Sequence, residues 1–544
     1  MASRETSDMP PGKWWGWGDP DKRTSLSKGA LEMLCSELGE ATPALPVALD
    51  QVSLDEPRPL PAAVAAALEP DTVFTDHEHR VRRAAGKSYP DLLRMRSGVV
   101  GAAPDTVVMP STAEQVAAVL AACAEAGVAV VPFGGGTSVV GGVAPIAGVH
   151  ETLISLDLRR MRDVDVDRTS LTATIGPGLR GPQAEEALAA RGVTLGHFPQ
   201  SFEYATIGGF AATRSAGQAS SGYGRFDELV TSVAMTTPIG ELRTLQTPHT
   251  AAGPSLRELA LGSEGVLGAI TEVSVRVRPT PSVRRYEGWM VEDFTAGRDL
   301  IRSLAQADAL PDVARLSDET ETRISLGLAN TVRWKKFLFD SYLSLRRRQG
   351  GCLVICGWEG ERESVERRRS LAATLLRRGG AAALGEAPGR AWEHARFDGP
   401  YLRDELMDRG YFVDTLESSH TWTRLEALYL AVGGALDATM RSQDTPGIVM
   451  CHLSHAYRDG ASLYFTFVCR ARRGEELDQW RALKTAACEA IVSVGATITH
   501  HHAVGTDHEP YMEAEVGTVG LDALRAVKER LDPAGIMNPA KLLG

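Results

Sequence analysis

The spacing of apolar and polar residues becomes regular near residue 104 and predicts alternating strands and helices. Residues 105–109 (DTVVM) and 128–131 (VAVV) are short apolar runs with the length of buried strands. Between them a helix is predicted to run to Ala124, opened by the capping-box pair Ser111 and Glu114 and ended by the next glycine. The glycine-rich segment PFGGGTSVVGG follows at once. The pattern therefore predicts that this segment is a loop after a buried strand.

The same patterns continue to the end of the chain and divide it into regions. Strands are predicted at ETLISLDL, SLTATIG and TEVSVRVRP, with a helix at GPQAEEALAARG. A second set of strands includes YEGWMV, GGCLVICGW and SLYFTFVCR, and a final segment holds two helices around the triplet HHH. We therefore expect an α+β protein with four parts. These are a helical or irregular N-terminal region (1–95), a first domain (96–280), a second domain (281–480) and a C-terminal segment (481–544).

Composition and charge exclude some classes of protein. With 544 residues, of which 43% are hydrophobic, the chain can bury more than one core. Its formal net charge of -11 argues against a nucleic-acid binder. Its seven cysteines form no CxxC pair, and Cys352 and Cys356 fall on one face of an apolar strand, so we expect core thiols. Dispersed cysteines and the lack of a signal-peptide pattern predict a cytoplasmic location.

Two aromatic segments leave alternatives open. Trp14, Trp15 and Trp17 form either a docking patch or an anchored tail, and we favour the tail. Residues 334–348 (WKKFLFDSYLSLRRR) interleave apolar side chains with cations. Such a segment either makes peripheral contact with the inner face of a membrane or packs on the core with solvated ends. The sequence also leaves a monomer and a homodimer open.

Two glycine motifs compete as the binding site of a phosphate-bearing cofactor. Residues 176–181 (GPGLRG) match GxGxxG, but Pro177 stiffens the turn and no acidic residue ends a clear strand at the Rossmann spacing. Residues 134–138 (GGGTS) instead offer backbone N–H groups that can approach an anion closely, and Thr137 and Ser138 add hydroxyl groups. A Walker lysine is lacking, which argues against an NTP-hydrolysing loop. The second motif is the better anion site.

The second motif has companions further along the chain. The ordered set PFGGGTS, TIGG, GSEGVLGAIT and KERLDPAGIMNP resembles the vanillyl-alcohol-oxidase type of FAD-binding proteins. The resemblance implies a two-subdomain FAD-binding module with an α+β cap domain. It also implies non-covalent FAD, because residues 132–143 hold no histidine of the kind that attaches flavin in some members. The implied cofactor-binding residues are Pro132, Phe133, Gly134, Gly135, Gly136, Thr137, Ser138, Gln200, Ser201, Thr206, Gly208, Gly209, Thr213, Ser215, Glu264, Gly265, Gly268 and Ile270.

Other segments resemble one family within that group, the alkyldihydroxyacetonephosphate synthases of ether-lipid synthesis. They are KWWGWGDP, GHFPQSFEYATIGGFAATRSAG, YLRDELMDRGYFVDTLE, SHAYRDGASLYFTF and HHH. The resemblance implies that a long-chain alcohol replaces the acyl group of acyl-dihydroxyacetone phosphate without net redox change, with the flavin as a scaffold for the substrate carbon. Six side chains take roles from this resemblance. They are the catalytic Tyr464, His500, His501 and His502, and the phosphate-binding Arg403 and Arg315.

Residue chemistry agrees with these roles. Neutral imidazole suits proton transfer near pH 7, and a guanidinium fork suits phosphate. We predict no metal site, because three consecutive histidine side chains point in different directions. Two further functions remain open: an FAD-linked dehydrogenase or oxidase of a 2-hydroxy acid or polyol, and a flavin-binding protein without turnover.

Four positions depart from the family pattern. Gln200 stands where an acidic residue is common, and Ala503 stands where the family usually has glycine. Asp507 and Glu509 occupy a stretch that is more basic in the family. This change of charge bears directly on the phosphate-carrying substrate.

Overall fold

The computed structural model describes residues 12–329 and 350–544, which form three main sheets and a short two-stranded one. The first sheet, in the order β1-β2-β4-β3, contains β1 (Val73–Phe74), β2 (Thr106–Val108), β3 (Ala129–Phe133) and β4 (Leu153–Asp157). The second, β5-β6-β10-β8-β9, contains β5 (Val164–Asp167), β6 (Thr172–Ile175), β8 (Val230–Thr237), β9 (Gly240–Arg243) and β10 (Ala269–Arg276). The short sheet pairs β7 (Val193–Thr194) with β11 (Arg278–Pro279).

The third sheet is antiparallel and forms the cap, in the order β15-β12-β14-β13-β17-β18-β16. Its strands are β12 (Val283–Val291), β13 (Val313–Ser317), β14 (Cys352–Gly360), β15 (Ala382–Gly385), β16 (Tyr411–Thr421), β17 (Ile448–Ala456) and β18 (Gly460–Arg470). Two small α+β subdomains and an α+β cap are thus present, as the sequence predicts.

Helices flank these sheets. Those of the N-terminal region and the first two sheets are α1 (Lys28–Leu38), α2 (Ala62–Ala66), α3 (His77–Val81), α4 (Tyr89–Ser97), α5 (Ala113–Ala126), α6 (Gly181–Ala189), α7 (Ile207–Ala212), α8 (Ser220–Tyr223), α9 (Phe226–Leu229) and α10 (Leu256–Ala260). Those that follow are α11 (Phe294–Gln306), α12 (Glu319–Ala329), α13 (Arg362–Arg378), α14 (Glu386–Ala395), α15 (Gly399–Asp408), α16 (Leu425–Ser442), α17 (Glu476–Ser493) and α18 (Met512–Leu531). In the described part of the chain, no helix is both long and apolar enough to cross a membrane.

The predicted start of helix α5 is wrong by one residue. Helix α5 is capped by Thr112, whose hydroxyl accepts the N–H of Gln115, while the Gln115 side chain accepts the N–H of Thr112. The predicted pair of Ser111 and Glu114 does not form this box, because Thr112 is the last residue with extended backbone. Gly127 ends the helix with φ +66°, as predicted, although the helix runs two residues further than expected.

The structure gives the outcome of three other sequence predictions, on the GPGLRG segment, the strand cysteines and the N-terminal tryptophans. Strand β6 is antiparallel to both of its neighbours, so GPGLRG does not belong to a parallel βαβ unit and is not a Rossmann fingerprint. Cys352 and Cys356 are fully buried in β14, as expected of core thiols. Trp14 and Trp17 are buried, and Trp17 packs with Tyr204 and Tyr401, which confirms the anchored tail. Residues 334–348 lie outside the described residues.

Alternation along the cap strands decides which side chains enter the cap core and which point to the opposite face of the sheet. Leu463 and Phe465 of β18 enter a core that helices α11, α13, α16 and α17 cover. Tyr464, which lies between them, therefore points to the opposite face of the sheet. The candidate site is built on that face.

Candidate active site

The register of three cap strands places a row of polar side chains on one face. Glu417 of β16 pairs with Tyr464 of β18, and Tyr464 pairs with His452 of β17. The rings of His452 and Tyr464 stack with their centroids 4.9 Å apart. A bulge after Ser454 gives His455 a φ of +48°. The bulge brings this second histidine of β17 against the rings of the triplet, and such bulges commonly redirect side chains.

Glu417 holds the histidine triplet in place. Its fully buried carboxylate accepts the backbone N–H groups of His500, His501 and His502 at 2.8–3.0 Å. The hydroxyl of Thr499 donates a further bond of 2.7 Å. Burial opposes ionisation of Glu417, but its interaction with His501 holds the pKa of its carboxyl well below the usual value. A buried carboxylate therefore fixes the conformation of the loop.

The triplet lies against Tyr464, as the sequence predicts. The ring of Tyr464 is 5.3 Å from that of His502 and 6.1 Å from that of His501, between centroids. Burial lowers the pKa of His502 to about 3 and that of His500 well below its usual value, so both imidazoles are neutral near pH 7. Burial also raises the pKa of Tyr464 to about 12, so the tyrosine is a neutral phenol.

The two predicted phosphate ligands have different surroundings. Arg315 donates from Nη2 to Glu321 at 2.7 Å, and the same nitrogen lies 3.0 Å from Nδ1 of His452. Glu321 therefore already neutralises part of the charge of Arg315. Arg403 donates from Nη1 to the carbonyl oxygen of Lys87 at 2.9 Å. Its buried Nε has no hydrogen-bond partner among residues 12–329 and 350–544. Arg403 is therefore the better anion ligand.

Lys87, next to Arg403, is a site residue that sequence reasoning missed. Burial lowers the pKa of its ammonium group to about 8, with Arg403 among the smaller contributions in the same direction. Its Nζ donates to the carbonyl oxygens of Lys13 and Trp14. The anchored N-terminal tail thus helps to position a second cation beside Arg403.

The glycine loop packs tightly against the TIGG segment. A Cβ atom on Gly134 would lie 2.4 Å from Oγ1 of Thr206, and one on Gly135 would lie 2.0 Å from the carbonyl oxygen of Tyr204. The GSEG turn closes on the same loop, because a Cβ on Gly265 would lie 2.9 Å from Cγ of Pro132. Three motifs that are far apart in the sequence therefore meet at one place.

A basic cavity of about 280 Å³ borders this meeting point. Gly134 and Thr206 line one side, and Gly178 of the GPGLRG segment lines another. The remaining lining residues are mostly cationic. They are Arg82, Arg83, Arg159, Arg162, Arg180, Glu78, His79 and Gln183. Backbone N–H groups together with guanidinium groups fit the pyrophosphate of a dinucleotide cofactor.

The arginines that line this cavity differ in whether a carboxylate already pairs with them. Arg83 and Arg159 both contact the fully buried Asp157, at 2.9 and 2.8 Å. The buried Nη1 of Arg180, in contrast, has no hydrogen-bond partner in the described part of the chain. Arg180 is thus suited to an anion in the cavity, and the GPGLRG segment contributes to the site without being a Rossmann motif.

Comparison with known proteins agrees with this geometry. The family model described as "FAD binding domain" matches residues 104–246, and "FAD linked oxidases, C-terminal domain" matches residues 280–542. An alkyldihydroxyacetonephosphate synthase from Dictyostelium discoideum is 31% identical over 98% of this chain and 93% of its own length. The chain belongs to the alkyldihydroxyacetonephosphate synthase family.

Further members support this assignment. The alkyldihydroxyacetonephosphate synthase of Trypanosoma brucei brucei is 34% identical, over 88% of this chain and 79% of its own. A solved alkyldihydroxyacetonephosphate synthase structure superimposes with a TM-score of 0.84 at 30% identity, covering 98% of this chain and 99% of that one. Both family models name FAD, and the expected FAD-binding domain is therefore present.

Some predicted flavin ligands of this family member have other contacts. The carboxylate of Glu264 accepts the N–H groups of Val504 and Gly505, both at 2.8 Å, and so joins the FAD-binding module to the loop after the histidines. Ser138 accepts the N–H of Gly142 at 2.9 Å, which shapes its own loop. Gln200 donates to the carbonyl oxygen of Arg396 in the cap at 2.9 Å. These side chains therefore stabilise the FAD-binding module and its contacts with neighbouring segments through hydrogen bonds within the protein.

Ala503 follows the triplet where glycine is usual in the family. Its φ is +73°, a left-handed conformation that costs alanine about 1–2 kcal/mol. Glycine would adopt this backbone conformation without that cost.

One group of side chains has the spacing of metal ligands. Glu417, His500 and His501 each offer a ligand atom within 4.8 Å of the others. Both oxygens of Glu417 already accept backbone N–H groups, and Nε2 of His500 lies 2.8 Å from the hydroxyl of Tyr457. Hydrogen bonding within the protein thus already engages these groups.

Replacing Gly135 tests the glycine loop. Gly135→Ala places a methyl group against the backbone of Tyr204, which cannot move as a side chain can. We expect the loop to shift and FAD affinity to fall by at least about tenfold, which corresponds to about 1.4 kcal/mol. Fluorescence titration of the apoprotein with FAD measures this. The control is Gly433→Ala in helix α16, where a Cβ meets nothing within 4 Å. Equal affinities for FAD would contradict the assigned loop.

Proposed function

We propose that this chain exchanges the acyl group of acyl-dihydroxyacetone phosphate for a long-chain alcohol, with non-covalently bound FAD and no net redox change. The observation that carries the proposal is the grouping of Tyr464 with the histidine triplet beside Arg403. This arrangement combines proton-transferring groups with a cation whose buried Nε has no hydrogen-bond partner among the described residues.

The required chemistry can be assigned to the described side chains. Bound FAD supplies the ring at which the substrate carbon is held during the exchange. Tyr464, a neutral phenol, hydrogen-bonds the substrate and exchanges a proton with it. His501 accepts the hydroxyl proton of the alcohol, and the Glu417 carboxylate, 3.4 Å from its Nδ1, stabilises the positive charge that results.

Arg403 and Lys87 bind the substrate phosphate. The acidic residues after the triplet do not remove all positive charge there, because Lys484 acts on both His502 and Asp507. Burial raises the pKa of Asp507 to about 6, against the effect of Lys484, so this carboxyl carries less charge near neutral pH than an exposed one. Lys484 and the raised pKa of Asp507 thus partly compensate for acidic residues in a stretch that is more basic in the family.

The phosphate assignment predicts a defect in substrate binding. Arg403→Gln removes the guanidinium group, and we expect the KM for acyl-dihydroxyacetone phosphate to rise about 30- to 100-fold, the equivalent of about 2–3 kcal/mol for a hydrogen bond to a charged group. Steady-state kinetics measure it. The control is Arg409→Gln at the end of the same helix, where the arginine pairs with Glu405. Equal KM values in the two variants would reject Arg403 as the ligand.

The function itself is tested with purified, FAD-loaded protein under anaerobic conditions. We expect fatty acid release from acyl-dihydroxyacetone phosphate that depends on added hexadecanol and needs no electron acceptor. Persistent bleaching of the flavin by a 2-hydroxy acid or polyol, with electrons passed to a dye, would favour a dehydrogenase instead. Acid precipitation should leave all flavin in the supernatant, and flavin that stays with the pellet would contradict non-covalent binding.

A further inference from the structure

A continuous chain of hydrogen bonds leads from the triplet to Tyr457, a half-buried residue directly after strand β17. Nδ1 of His501 lies 3.0 Å from Nδ1 of His500. Nε2 of His500 lies 2.8 Å from the hydroxyl of Tyr457. Tyr457 is half-buried and precedes the exposed residues Arg458 and Asp459. Both imidazole nitrogens of His500 are thus engaged, one with His501 and one with Tyr457.

The chain of bonds has a consistent direction. Glu417, whose carboxylate can only accept, lies 3.4 Å from the same Nδ1 of His501, and we therefore assign the proton of His501 to Nδ1. His500 then accepts on Nδ1 and, as a neutral imidazole, donates from Nε2 to Tyr457. His501 therefore donates to His500, and His500 donates to Tyr457.

Arg225 holds the outer part of this chain. Its Nη1 donates to the carbonyl oxygen of His500 at 3.0 Å, and the guanidinium group also hydrogen-bonds Tyr457. The ring of His455 stacks on that of His500, with centroids 5.3 Å apart. The orientation of His500 is thus fixed from two sides.

The proposed reaction needs an exit for one proton. An ester and an alcohol give an ether and a carboxylic acid: the alcohol oxygen bonds to the substrate carbon, and the bond from that carbon to the acyl oxygen breaks. Because the fatty acid leaves as a carboxylate at neutral pH, the hydroxyl proton of the alcohol is released in each turnover. His501, whose side chain is 14% exposed, takes up this proton.

We propose that His500 and Tyr457 form a proton relay that carries this proton from His501 to solvent. The relay rests on the proposed function. In one turnover His501 gives its Nδ1 proton to His500, His500 gives its Nε2 proton to Tyr457, and Tyr457 gives its hydroxyl proton to water. No bond between heavy atoms changes and no electron is transferred.

The pKa values of His500 and Tyr457 are shifted in directions that keep both residues neutral. Burial lowers the pKa of His500 well below its usual value and raises the pKa of Tyr457 above its usual value. Neither an imidazolium on His500 nor a phenolate on Tyr457 is therefore favoured at rest. The protons move along the chain together.

Tyr457→Phe tests the relay, because it removes one hydroxyl group and leaves the ring. We expect kcat for alcohol-dependent fatty acid release to fall about 10- to 100-fold, up to the lower end of the range for a direct general acid–base group, with KM within about twofold. The solvent deuterium isotope effect on kcat should rise, because proton exit becomes rate-limiting. Free imidazole should restore part of the rate by replacing the missing proton carrier.

The matched control is Tyr411→Phe, which removes a hydroxyl that donates to the carbonyl oxygen of Gly39 far from the triplet. It should retain the rate and isotope effect of the wild type. If Tyr457→Phe fails to fold, His500→Gln interrupts the same chain and is measured in the same way, with FAD content as the check on folding.

The possible results distinguish a failure of the relay from a failure of the proposed function. A wild-type rate with Tyr457→Phe, or a slow rate without a larger isotope effect and without rescue by imidazole, would overturn the relay alone. A wild-type chain that releases no fatty acid in the presence of alcohol would overturn the proposed function, and the relay with it.

Discussion

Tyr464→Phe should reduce turnover by at least about 10³-fold while FAD remains bound. The change deletes only the hydroxyl that exchanges a proton with the substrate. The ring still stacks on His452, and neighbouring Leu463 and Phe465 still fill the cap core. Alcohol-dependent release of fatty acid, normalised to bound flavin, measures the effect.

The matching control is Tyr429→Phe. Tyr429 donates to Asp318 at 3.3 Å on the core side of the cap, and it should lose little activity. A Tyr464→Phe protein with more than about a tenth of wild-type turnover would remove this hydroxyl from the chemistry, because a positioned acid–base group contributes at least about 10²-fold.

Glu417→Gln should damage both stability and activity. Glutamine has one acceptor oxygen where the carboxylate has two, and its amide N–H groups face the backbone N–H groups of the triplet. We expect the free energy of unfolding to fall by about 2–4 kcal/mol, since buried donors lose their acceptor. We also expect kcat to fall about 100-fold, because His501 loses the charge that stabilises its protonated form.

Urea denaturation and fatty acid release measure these two effects. The control is Glu405→Gln, which removes a carboxylate that pairs with Arg409 near the surface and should cost less than about 1 kcal/mol. A Glu417→Gln protein with the stability and kcat of this control would show that the carboxylate does not organise the loop.

Local patterns predicted many elements of this fold. Apolar runs identified strands β2, β3, β14 and β18, and the glycine after helix α5 identified its end. The capping box was misplaced because Ser111 and Thr112 are adjacent residues of similar capping chemistry, and only the backbone conformation distinguishes them. Strand order and register were not predictable, since they depend on packing between segments that are far apart in the sequence.

Only part of the candidate site could be predicted, because some of its residues come together only through packing between distant segments. Tyr464 and the triplet stand in distinctive motifs, so resemblance revealed them. Glu417 lies 83 residues before His500 and acts through backbone N–H groups, which leave no trace in the sequence around the triplet. His455 lies in the quoted segment SHAYRDG, but only a bulge in β17 brings it against His500.

The central claim is exchange without net redox change, and a product analysis tests it most directly. FAD-loaded protein is incubated anaerobically with acyl-dihydroxyacetone phosphate and ¹⁸O-labelled hexadecanol, without an electron acceptor. We predict equal amounts of fatty acid and ether product, with the label in the ether and the flavin oxidised at the end. Fatty acid without labelled ether, or flavin that stays reduced, would contradict the account.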